Sequence, residues 1–182
     1  MRQNISICVF AGARAGADNA YEQAASELGA AIAARGFELV YGGGSIGLMG
    51  SVAQTALDHG AAVTGVIPEF LAYAEVLHQG LTRTVFVEDL FQRKAKMIEL
   101  SDAFVALPGG IGTLDELLEV VAWRQLQRID KAIGVLDVSG YFVPWFTALE
   151  HAVTEDFIEA RHINAIVRSE DAEALLDAMC PG

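Results

Sequence analysis

The chain has 182 residues, enough for one domain of roughly 150 residues with a sizeable core and too few for two. Its residues are 53% hydrophobic and 20% charged, which excludes a disordered chain. The 12 Lys+Arg against 24 Asp+Glu give a net charge of −12, a field that repels a nucleic acid polymer.

The elements read in chain order as strands alternating with helices. Residues 6–11 are an apolar run that predicts a buried strand, and a glycine-containing loop follows at 12–16. Residues 19–35 carry Ala and Leu at helical spacing and stop at Gly36. A second strand at 38–41 runs straight into Gly42-Gly43-Gly44, and a helix at 48–59 ends at Gly60. A third strand at 62–67 is stopped by Pro68. Residues 69–80 are the least regular part, read as a loop with some helix. A strand at 84–87 precedes a helix at 90–100, and a strand at 103–107 breaks at Pro108-Gly109-Gly110. A helix at 114–126, a strand at 133–136 and a helix at 143–154 follow, then a short strand at 166–167 and a terminal helix at 172–179. This alternation predicts one α/β domain over residues 1–182. The expected architecture is a Rossmann-like three-layer sandwich, a central parallel sheet with helices on both faces, whose ligands sit beyond the carboxyl ends of the strands.

Cys8 and Cys180 stand near opposite ends and give no disulfide framework, so a reduced, cytoplasmic compartment is expected. His59, His78, His151 and His162 are isolated, without metal-ligand spacing, and no metal or other cofactor is expected. The N-terminal apolar run is too short for a signal peptide, and no run approaches the ~18 apolar residues of a membrane span.

Gly42 to Gly47 satisfies G-x-G-x-x-G between a strand and a helix. Gly43, Gly44 and Ser45 could give backbone donors to an anion, or the loop could be only a tight turn with close helix–strand packing. The loop carrying Gly109, Gly110, Gly112 and Thr113 has no lysine after its last glycine and is not a Walker-type loop. It still offers N–H groups and a hydroxyl to a phosphate, which needs no basic patch. Thr113 and Glu116 have capping-box spacing, and spacing alone favours that role for Glu116 over a catalytic one. Arg93, Lys94 and Lys96 read either as an exposed basic face or as a source of one cation for the cleft, a role that suits the planar fork of Arg93. The run from Trp123 to Leu126 fits a subunit interface or core packing.

The stretch from Val40 to Gly50, reading V-Y-G-G-G-S-I-G-L-M-G, resembles the first signature of the LOG ("Lonely Guy") family of cytokinin riboside 5′-monophosphate phosphoribohydrolases. The stretch from Pro108 to Glu116 is similar to that family's P-G-G-x-G-T-x-x-E motif. Gly65-Val66-Ile67-Pro68, Arg93-Lys94-Ala95 with Met97, and Ser101 to Phe104 also look like family segments, so the resemblance runs from about Ser6 to Ile166. It implies a homodimer and hydrolysis of the N-glycosidic bond of N6-modified AMP, with AMP itself often accepted, to free base and ribose 5-phosphate. It implies Arg93 and Glu116 as the catalytic pair. Family members often carry the label lysine decarboxylase. With only Lys94, Lys96 and Lys131 in the chain, none in a recognisable pyridoxal-phosphate setting, that label is not followed.

Two departures stand out. The family's C-G-S-S-x-G is here Ala11-Gly12-Ala13-Arg14-Ala15-Gly16, which removes two hydroxyls and makes Gly12 and Arg14 candidate substrate contacts. The family's M-H-E-R-K is Leu90-Phe91-Gln92-Arg93-Lys94, keeping the arginine but not its neighbours; Lys94 and Met97 are further candidate contacts. Rival readings are a nicotinamide-dependent oxidoreductase, with Glu69 on the ribose, and a nucleotide-binding module without turnover.

Overall fold

A computed structural model describes residues 5–72 and 77–180. Its strands are β1 (Ser6–Phe10), β2 (Glu38–Tyr41), β3 (Val63–Pro68), β4 (Arg83–Val87), β5 (Ala103–Ala106), β6 (Ala132–Leu136) and β7 (Ile166–Ser169). They form one parallel sheet in the order β4-β3-β2-β1-β5-β6-β7. The helices are α1 (Asn19–Ala34), α2 (Gly47–Asp58), α3 (Glu69–Ala72), α4 (Leu90–Leu100), α5 (Ile111–Gln125), α6 (Val143–Thr154), α7 (Ala160–Asn164) and α8 (Ala172–Met179).

Every residue of β1 and β5 is buried because both faces of the sheet are covered, which is why these strands read as unbroken apolar runs. The period of two then divides the core. Ile7, Val9, Leu39, Tyr41 and Val105 pack with Leu28 and Ile32 of α1, Val52 of α2 and Leu175 of α8. Cys8, Phe10, Val40, Val66 and Phe104 pack on the opposite side with Met97 of α4, Leu117 of α5, Phe146 of α6 and Ile163 of α7. Burial pushes the Cys8 thiol well up, so it stays a protonated core residue.

The strand order reverses between β1 and β5, so the loops that leave these two strands diverge over a switch point. All strands of a parallel sheet end on the same rim, which also carries the loops after β2, β3 and β6.

Several boundaries move. Pro68 ends β3 inside the strand rather than stopping it beforehand. The turn at Val138–Gly140 and helix α7 had no sequence prediction. Of the irregular stretch 69–80, Glu69–Ala72 is a single helical turn, and 73–76 lie outside the described residues. The largest shift is α5, which starts at Ile111 instead of residue 114. Gly-rich sequence hides a helix start, because glycine has low helix propensity yet is tolerated in the first turn.

Candidate active site

Asp18, Asp89 and Asp171 cap α1, α4 and α8 with their carboxylates. The two helices that follow the glycine loops, α2 and α5, open without a side-chain cap. Their free N–H ends meet different fates.

The α2 end is closed by the protein itself. Met49 N–H donates to the Gly12 carbonyl at 3.2 Å. Gly47 has φ +59°, and a Cβ there would stand 2.4 Å from Ala13 and Arg14 backbone, so only glycine lets the first loop lie on this helix end. Gly43 and Gly44 are buried; the Gly43 carbonyl accepts from His78 N–H at 3.0 Å, and Gly44 makes a β-bridge to Leu77. Gly43 and Gly44 are thus buried in the loop, and the group of Gly43 that is bonded is its carbonyl rather than its N–H. Ser45 is half-buried and lines a separate groove of about 730 Å³ with Ser51, Thr55 and His78.

The α5 end is open. Gly110 and Ile111 are exposed, Ile111 by 89%, and nothing lies within 4 Å of where a Cβ would stand on Gly110 or Gly112. Gly110 is the residue that caps the helix, and Thr113 is its third residue, buried beneath the loop with Oγ1 close against Gly109. The capping-box reading of Thr113 and Glu116 is therefore corrected. The box needs Thr113 just outside the helix, and here Glu116 is the sixth residue, past the free N–H groups it was expected to satisfy.

Arg93 is 6% exposed on α4. Its Nε donates to the Val66 carbonyl at 3.1 Å and its Nη2 to the Gly42 carbonyl at 2.8 Å. The reading of this stretch as a uniformly exposed basic face fails at Arg93, whose guanidinium is locked across the ends of β2 and β3. Besides burial, which raises the Cys8 thiol most, the negative charge of Glu116 raises it further and the positive charges of Arg93 and Lys131 lower it.

The remaining candidates divide. Gly12 is buried and its N–H donates to the Pro108 carbonyl at 3.1 Å. Arg14 is exposed and lines a pocket of about 290 Å³ with Tyr21, Leu48, Gly109, Gly110 and Tyr141. Met97 is 1% exposed and belongs to the core. Lys94 bonds Asp115 at 3.0 Å and Glu119 at 2.8 Å, which ties α4 to α5. Burial lowers its affinity for a proton, but the two carboxylates outweigh that and push its pKa up. Lys96 pairs with Glu99, and Lys131 donates to the Ile98 carbonyl. Arg124 donates to the Ala165 carbonyl at 2.8 Å, an internal role, and Trp123 is half-buried against the core. Glu69 is exposed on an outer groove of about 870 Å³ with Phe70, Phe86 and Glu88.

Three features of the site had no sequence prediction: the room Gly42 leaves for Arg93, the Val66 carbonyl, and Tyr141, whose hydroxyl donates to the Gly109 carbonyl. The rim rule that places the loops starting at Gly12, Gly42 and Pro108 on one rim applies equally to the loop after β6, where Gly140-Tyr141 is a turn signal beside an aromatic ring.

Among the described residues no group of three or more potential ligands could hold a metal, and no helix is long and apolar enough to cross a membrane.

Residues 49–179 match the protein family described as possible lysine decarboxylase. The chain is 46% identical over 173 residues to the probable cytokinin riboside 5′-monophosphate phosphoribohydrolase LOGL1 of Oryza sativa subsp. japonica, covering 95% of this chain and 78% of the relative. It is 48% identical to the cytokinin riboside 5′-monophosphate phosphoribohydrolase LOG1 of Arabidopsis thaliana, covering 93% and 80%. The enzyme of that name from Rhodococcoides fascians is 44% identical, with 96% and 88% covered. Among solved structures, a molybdenum cofactor binding protein from Rippkaea orientalis superposes with TM-score 0.74 at 19% identity, covering 98% of this chain and 96% of the other. The molybdenum cofactor carrier protein of Chlamydomonas reinhardtii superposes with TM-score 0.70 at 22% identity, covering 97% and 95%. At these identities the two structures share the fold alone.

Proposed function

The chain belongs to the family of the cytokinin riboside 5′-monophosphate phosphoribohydrolases, and from that premise we propose that it is an enzyme that cleaves the N-glycosidic bond of N6-modified adenosine 5′-monophosphates and of AMP. Water adds across the bond between the anomeric carbon and the base. The base leaves with the bonding electrons and takes up a proton, and the sugar gains a hydroxyl to become ribose 5-phosphate.

The observation that carries this reading is the early start of α5, which leaves its first turn open and relieves Glu116 of a capping role. The 5′-phosphate sits on the N–H groups of Gly110, Ile111, Gly112 and Thr113, where the helix dipole favours an anion. Holding a remote phosphate positions the reacting bond. Glu116 stabilises the positive charge that grows on the ribose and orients or deprotonates the water, as a carboxylate does in O-glycoside hydrolysis. Arg93 stabilises the leaving base or holds the sugar-phosphate; its two bonds to carbonyls fix its fork before substrate arrives.

The rival readings are weaker. A pyrophosphate on the G-x-G-x-x-G loop would need the α2 N-terminus that the first loop covers. A decarboxylase of the pyridoxal type needs a nucleophilic lysine, and the amino groups of Lys94, Lys96 and Lys131 are all held by carboxylates or a carbonyl.

The working protein is a homodimer in the cytoplasm. Phe91 (79% exposed), Ile111 (89%) and Leu118 (44%) are large apolar side chains exposed on α4 and α5, which suits contact with a second copy, and both cysteines are unpaired. Incubation with AMP and with isopentenyladenosine monophosphate, followed by product analysis, is the direct test. Free base and ribose 5-phosphate are expected, and intact nucleotide after prolonged incubation would reject the reading.

A further inference from the structure

The segment after β6 has no part in that mechanism, yet it reaches the loop that the mechanism depends on. Asp137 directly follows β6 and is 1% exposed. It accepts from Phe142 N–H at 2.7 Å and from Arg168 Nε at 2.6 Å, and Asp137 N–H donates to the Ser169 carbonyl at 2.8 Å. Phe142 is fully buried. Tyr141 is therefore set between a turn pinned at Asp137 and a buried ring. Its own ring meets Tyr21 edge-on at 5.9 Å and Phe142 at 5.0 Å. What this framework holds out is the Tyr141 hydroxyl, and it donates to the Gly109 carbonyl.

We infer that Tyr141 is a positioning residue for phosphate binding: by holding the Gly109 carbonyl it aims the Gly110 N–H into the open α5 end. The physical reason is the planarity of the peptide. In a trans peptide the carbonyl of one residue and the N–H of the next point in opposite directions in one plane. Fixing the Gly109 oxygen toward Tyr141 therefore turns the Gly110 N–H away from it. The preceding peptide is fixed in the same manner, its Pro108 oxygen held by Gly12 N–H. Two adjacent peptide planes of a glycine loop are thus each held by a hydrogen bond to their carbonyl. The grip matters because Gly109 and Gly110 carry no side chain to restrict their rotation. An anion site made of backbone donors works only if those donors are oriented before the ligand arrives.

The inference rests on the phosphate placement proposed above, and its test separates the two. Tyr141→Phe removes the hydroxyl and keeps the ring contacts. Calorimetric titration of ribose 5-phosphate and of adenine into the wild-type and Y141F proteins reads the two ends of the substrate separately. The affinity for ribose 5-phosphate is expected to fall about 5- to 10-fold, the size of one lost hydrogen bond, with adenine binding unchanged. With AMP, kcat/KM should fall by a similar factor, since the phosphate contact is weakened while the ring and the reacting groups stay in place. Equal affinity of both proteins for ribose 5-phosphate, equal weakening of both ligands, or a wild-type protein that does not bind ribose 5-phosphate would each overturn the assignment. A wild-type protein that binds ribose 5-phosphate but frees no adenine from AMP removes the hydrolase reading and leaves the Tyr141 comparison standing.

Discussion

Arg93 Nη2 donates to the carbonyl of Gly42 at 2.8 Å, 51 residues away in the chain, and it fills the space a side chain on Gly42 would occupy. A Cβ on Gly42 would stand 2.2 Å from that nitrogen. The first glycine of the G-x-G-x-x-G loop thus makes room for a protein cation.

Gly42→Ala is expected to lower both activity and stability. The guanidinium is buried and pinned by two carbonyls, so it cannot swing aside, and overpacking of this kind costs about 1–3 kcal/mol. Thermal unfolding together with base release from AMP would check it; a variant with normal activity and an unchanged Tm would mean that the arginine is freer than its contacts indicate.

Arg93→Ala tests the same contact from the other side. The sequence supports a purely catalytic loss. The structure adds a loss of stability, because the carbonyls of Val66 and Gly42 lose their donor, at about 1–3 kcal/mol for each that stays buried and unpaired. Arg93→Lys should fail to restore turnover, since a single ammonium does not reproduce the planar fork. Denaturant titration and steady-state kinetics on both variants separate the two effects.

Glu116→Gln should reduce kcat at least ~100-fold with little change in Tm. Glu116 is the sixth residue of α5, past the N–H groups of the first turn, so the loss of turnover is not that of a helix cap. If instead the helix loses stability and turnover persists, the carboxylate is structural.

Lys94→Met should cut the tie between α4 and α5 at a cost below about 1 kcal/mol, because Asp115 is more than half exposed and solvent screens the pair. The folded pKa of Lys94 is raised, so its contribution is complete below 10.5 and is lost only as pH climbs through the folded value. Between pH 6 and 9 the wild-type and variant stability curves should therefore run parallel.

His78 gives the opposite dependence. Burial lowers its pKa from 6.5, and its Nδ1 accepts from Gly80 N–H at 3.1 Å, which requires the neutral ring. The unfolded chain takes up the proton first, so stability is present above 6.5 and is lost as pH falls through the folded value. His78→Asn, which keeps an acceptor in that place, should flatten the change in Tm between pH 7 and pH 5.5. An unaltered slope would put the acid sensitivity elsewhere.

Periodicity carried most of the fold because it records burial directly. Strands β1, β2 and β5 are covered on both faces and so read as continuous apolar runs, with glycine or proline at their ends. Boundaries failed where glycine stands inside an element. Local propensity places the start of α5 after Thr113, whereas packing of Thr113 under Gly109 draws the helix back to Ile111.

The sequence by itself determined the chemical inventory: a neutral backbone loop after β5, one arginine and one glutamate in family motifs, and a net charge of −12. Only the tertiary structure decided how those parts are used. Two glycine loops with similar composition were separated into one closed by Gly12 and His78 and one left open, because the neighbours that close a loop come from distant parts of the chain. The capping role of Glu116 fell for the same reason. Spacing fixes which residues share a helical turn, but where the helix begins depends on contacts that no local pattern records.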